Sequence, residues 1–85
     1  MKVIKWIRAG IRGYRTMKRA PFVIAQAQAQ GGFPTDLDEM SKLPITRDRD
    51  GARVSGVPLQ YVFAFLVLNK RADLAENLSL RLKSA

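Results

Sequence analysis

Lys5, Arg8, Arg12, Arg15 and Arg19 recur at intervals of three and four residues, with no acidic residue among them. At about 100° per residue, this spacing gathers them into a sector of roughly 80° on a helix. Such a row suits a line of phosphates, because a guanidinium grips a phosphate through paired N–H donors and keeps its charge at any physiological pH. Trp6 and Tyr14 lie in the same segment, and flat rings beside cations can stack on exposed nucleobases. The same rings could instead pack against the chain's own apolar residues, the more frequent use of aromatics on such a face. These positions form the candidate nucleic-acid-binding set.

No comparable constellation supports catalysis. The chain has no cysteine and no histidine, which removes thiol chemistry, the usual zinc sites and the commonest general base near neutral pH. The serines at 41, 55, 79 and 84 therefore lack a histidine base. Asp36 with Asp38, and Asp48 with Asp50, are the only close aspartate pairs, and helix capping and turn formation account for both. A calcium loop aligned on Gly51 would put Thr46 at the first ligand position and Val57 where a bidentate glutamate is needed. The expectation is a non-catalytic protein with no cofactor and no metal site.

Charge distribution sharpens the candidate. The formal net charge is +8, and Lys2, Lys5, Arg8, Arg12, Arg15, Lys18 and Arg19 all precede the first acid, Asp36. Beyond residue 20 the charges nearly cancel. Nucleic acid, DNA or RNA, is the preferred partner. A basic amphipathic helix lying on an anionic membrane is the alternative, with Trp6 at the interface and Ile4, Ile7 and Ile11 inserted. A further alternative is a small subunit of a homo-oligomer, a larger protein assembly or a virus particle. A solvated face that only confers solubility is the plainest use of the charge.

Several elements must position these groups. Val3, Ile4, Ile7, Ile11 and Tyr14 gather on a face separate from the cations, so residues 1–20 read as a basic amphipathic helix. Gly10 and Gly13 weaken it by roughly 1 kcal/mol each, and near the apolar face they would admit a close neighbour. Pro21 is expected to stop or kink this helix, with a second short helix over residues 21–30 ended by Gly31-Gly32. Thr35 is the expected N-cap of a helix over residues 35–43, limited by Pro44.

Residues 45–57 read as a hairpin turning at Asp50-Gly51, which would set Asp48 opposite Arg53 and Thr46 opposite Ser55. Leu59 to Leu68 is the richest source of core. Its aromatic and branched residues suit a buried strand, while its length and Pro58 at a first helical position favour a buried helix, the reading adopted. Leu74, Leu78 and Leu82 recur every four residues, giving an amphipathic helix over residues 73–83.

The expected fold class is thus mainly α (α+β): a small single domain over residues 1–85 with a basic amphipathic N-terminal helix, further short helices and one β-hairpin. Gly10-Ile11-Arg12-Gly13 resembles the clamp loop of KH domains, but the flanking helix and strand pattern is absent. Three helices before a hairpin also resemble a winged helix. Its groove-reading third helix would here carry Asp36, Asp38 and Glu39, which phosphates repel, so any nucleic acid must contact the first helix.

The apolar stretch after the basic segment is too short for a secretory signal, although residues 1–19 have the composition of a mitochondrial presequence. No transmembrane helix is expected, and the expected location is cytoplasmic or within an intracellular assembly.

Overall fold

A computed structural model describes residues 2–84, with side chains described from Gly13 onward. Helix α1 (Lys2–Gln30) runs unbroken through Pro21, so the break expected there does not occur. A mid-helix proline removes one backbone hydrogen bond and crowds the carbonyl a turn earlier. Here the proline itself is exposed. Ala20 just before it and Ile24 three residues on are both fully buried. Anchors flanking the proline hold both halves of the helix to one core. Gly31 and Gly32, at φ +85° and +83°, then end it as expected.

Helix α2 (Leu37–Lys42) is capped by Asp36 rather than Thr35. The Asp36 carboxylate accepts from the backbone N–H groups of Asp38 at 2.8 Å and Glu39 at 3.4 Å. These are the donors an N-cap must satisfy, and a carboxylate also suits the positive end of the helix dipole.

The hairpin forms in a different register from the expected one. Strands β1 (Ile45–Asp48) and β2 (Gly51–Val54) pair Asp48 with Gly51 and Thr46 with Arg53. Arg49 and Asp50 make the turn, and Gly51 follows at φ +124°. Asp48 explains the choice: its Oδ1 accepts from the Asp50 N–H at 2.8 Å, a side-chain-closed turn that starts at the aspartate. The shift is by two residues, so it preserves which side chains share a face.

A second tight turn, Ser55-Gly56, carries φ of +49° and +83° and returns the chain into strand β3 (Val57–Pro58), giving a three-stranded antiparallel sheet in the order β1-β2-β3. Positive φ at both central residues is the requirement of a type I′ turn.

Helix α3 (Leu59–Leu68) settles the ambiguous apolar run as helix, with Pro58 at its N-cap. It ends in a Schellman motif: Lys70 adopts φ +61°, the Arg71 N–H bonds the Leu66 carbonyl at 2.9 Å, and the Lys70 N–H bonds that of Val67 at 3.0 Å. Helix α4 (Ala72–Ser84) follows.

Packing joins α1 to α3, α3 to α4, and α4 to α2, with the sheet against α3. Ile24, Met40, Val54, Val62, Leu66 and Leu78 are the largest fully buried side chains, drawn from all four helices and the sheet. Thus α3 supplies Val62, Ala64 and Leu66 to the interior, whereas Phe65 is half-buried and Phe63 and Leu68 are exposed. The fold is mainly helical with a small antiparallel sheet, as the sequence implies.

Candidate nucleic-acid interface

The inward side of α1 carries Ala20 and Ile24, fully buried, with Val23 and Ala27 packed at their edge. That 20-23-24-27 spacing marks the face turned to the body. The exposed described side chains of the helix lie mainly on the other side. There Tyr14, Lys18 and Phe22 follow one another at four-residue intervals, and Arg15 and Arg19 form the neighbouring row.

All five side chains are exposed. Tyr14 is 66% accessible and Phe22 78%, and at 1.5 Å per residue their positions are about 12 Å apart along the axis. The Lys18 ammonium lies over the Tyr14 ring, 5.8 Å from its centroid, within reach of a cation–π attraction.

Of the sequence-derived candidates, Tyr14, Arg15 and Arg19 are thus brought together on one accessible surface. Lys5, Trp6, Arg8 and Arg12 lie within the continuous helix, and their side chains are outside the described ones. Phe22 was not among the candidates. The expected break at Pro21 assigned it to a separate helix, and only an unbroken helix places it two turns beyond Tyr14.

The described cations of α1 differ from Arg47, Arg53, Arg71 and Arg81 in how they are engaged. Among the described residues, ion pairs join Arg53 to Asp48 at 3.0 Å and Arg71 to both Asp38 and Asp73, at 3.4 and 3.2 Å. The expected Asp48–Arg53 attraction therefore survives the register shift, across a diagonal instead of directly opposite. The Asp50 N–H, followed by the Arg53 guanidinium, holds the Asp48 carboxyl below its ordinary value. The Arg71 side chain does the same for Asp73.

Arg47 donates to the Leu82 carbonyl at 2.6 Å, and Arg81 donates to the carbonyls of Leu43, at 2.8 Å, and Ser41. Arg15, Lys18 and Arg19 take part in none of these ion pairs. The remaining described cations fall singly: Lys42 on α2, Arg49 in the hairpin turn, Lys70 in the α3–α4 loop and Lys83 on α4. Among the described residues, only α1 arrays them in a row.

Two serine hydroxyls are similarly engaged, Ser41 donating to the Asp38 carbonyl at 2.7 Å and Ser84 to that of Leu80 at 2.8 Å. A cleft of about 1060 Å³ separates α1 near Gly13 and Met17 from the hairpin, with Leu59, Phe63 and Val67 of α3 and Leu82 of α4 in its wall. Beyond its own stretch of helix, no described atom lies within 4 Å of where a Gly13 side chain would begin. No described helix is long and apolar enough to cross a membrane.

No protein-family model, curated protein or solved structure matches the chain.

Proposed function

We propose that this chain is a small non-catalytic nucleic-acid-binding protein that lays the outer side of α1 along a phosphate backbone. Arg15 and Arg19 carry the reading: they are exposed one turn apart, free of any described ion pair, on a 29-residue helix that contains no acid. A protein gains little folding stability from unpaired charges of one sign, whose mutual repulsion disfavours the compact state. A polyanion offsets that repulsion and releases its own counterions when it binds. Over residues 14–22 the exposed side chains lie across the helix from buried Ala20 and Ile24, and Arg15 also borders the cleft between α1 and the hairpin.

Salt dependence tests this directly. With Lys5, Arg8, Arg12, Arg15 and Arg19 each neutralising one phosphate, the slope of log affinity against log salt is expected near −4.5 for duplex DNA and about −3.5 for a single strand. Arg15→Gln/Arg19→Gln should make it shallower by roughly 1.4 to 1.8, with an unchanged melting temperature because both side chains are exposed. Salt-insensitive binding refutes the reading. So does absence of binding at low salt while anionic vesicles bind tightly, which instead identifies α1 as a membrane-surface helix.

A further inference from the structure

Resting on the nucleic-acid reading, we infer that the ligand is single-stranded, with phosphates along the Arg15–Arg19 row and bases stacked on Tyr14 and Phe22. The two rows stand side by side on one helix face, matching a strand whose backbone and bases run in parallel. Tyr14 and Phe22 are among the most exposed large apolar side chains, at 66% and 78%. The core lies on the opposite side of α1, so no part of the body covers them.

Paired bases in a duplex are stacked on one another and cannot offer a free face to a side chain. Unpaired bases can, whatever their identity, which makes aromatic stacking beside cations a sequence-tolerant way to hold a single strand. Lys18 adds positive charge beside the Arg15–Arg19 row, and a base stacks on the face of Tyr14 that the Lys18 ammonium leaves open.

The same lysine weighs against other occupants. A bilayer that took in Tyr14 and Phe22 would have to accommodate Lys18 between them. A second copy docking face to face would bring two acid-free, cation-rich helices together, a like-charge juxtaposition that opposes association.

The test compares a fluorescent oligothymidylate, a mixed-sequence DNA duplex and phosphatidylserine-containing vesicles against wild type, Tyr14→Leu/Phe22→Leu and the ring-preserving Tyr14→Phe/Phe22→Tyr. Leucine keeps apolar bulk but cannot stack. Since stacking on each ring is worth at least about fivefold in affinity, the leucine pair should weaken single-strand binding by about 25-fold or more. The salt slope should stay the same, duplex binding should be weaker than single-strand binding in wild type, and the ring-preserving pair should bind normally.

Equal binding of duplex and single strand, or a leucine pair that binds the single strand like wild type, overturns the inference. The nucleic-acid reading then still stands if Arg15→Gln/Arg19→Gln flattens the salt slope. Wild type that binds neither nucleic acid at low salt removes both, and vesicle binding that survives the leucine substitutions assigns the face to lipid.

Discussion

Replacing Arg81 should unlatch α4 from α2. Its guanidinium reaches from the last turns of α4 to the Leu43 and Ser41 carbonyls, just where α2 ends and leaves acceptors without helical partners. Ser41 is buried, at 5% exposure, so water cannot readily replace the lost donor there. Arg81→Met retains an apolar stem and removes both bonds. A buried acceptor left unsatisfied costs about 1–3 kcal/mol, and the more open Leu43 carbonyl adds less, so the expected loss is about 2–3 kcal/mol.

A domain of this size has a total stability on the order of 4–13 kcal/mol, so the fraction lost is large. At about 4–8 °C per kcal/mol, the melting temperature should fall by roughly 10–20 °C. Circular dichroism melts and urea titrations measure it. Arg81→Lys should recover part of the loss, because an ammonium can serve one carbonyl while keeping a cation in the last turn of α4. Arg81→Met melting within about 4 °C of wild type would refute the latch.

Two other predictions concern the core and the hairpin. Leu66→Ala should cost about 2–5 kcal/mol and Phe65→Ala distinctly less, since Leu66 is fully buried and Phe65 is not; urea denaturation of the two variants should rank them in that order. Asp48→Asn should destabilise the hairpin only when the native carboxylate is ionised. The folded carboxyl is held below its ordinary value of 3.8, so its contribution is present above that pH and is lost as pH falls through the depressed folded value. The stability difference between wild type and Asp48→Asn, followed by thermal melts across acidic pH, should therefore vanish at the acid end.

Element types were largely legible in the sequence, because the periodicity of α4, the Gly31-Gly32 stop and the acids opening α2 act locally. What was not legible depended on competition between local and tertiary forces. Pro21 argues for a break within its own turn, yet Ala20 and Ile24 bury themselves on either side and keep the helix continuous. Asp50-Gly51 is a strong turn signal, but the Asp48 carboxylate draws the turn one residue earlier, which shifts each cross-strand partner by two. Ser55-Gly56 passed as the end of a strand because its left-handed geometry only becomes visible once Val54 has Val57 to pair with.

The candidate surface shows the same division. Arg15 and Arg19 were readable from their spacing, since an acid-free run of cations needs no tertiary knowledge. Phe22 was not, because its membership depends on the helix surviving Pro21. Nor could spacing separate the arginines bonded to the body from those outside the described ion pairs: Arg47, Arg53, Arg71 and Arg81 have the same side chain as Arg15 and Arg19, but each is turned to a carbonyl or carboxylate of the body.

The consequence is a separation of roles by position. Substitutions on the outer side of α1 remove charges that fold nothing, so they should act on a salt slope and leave the melting temperature alone. Substitutions of the body's arginines break bonds to fixed acceptors and should do the reverse, and that opposition makes binding and folding separately measurable in a chain this small.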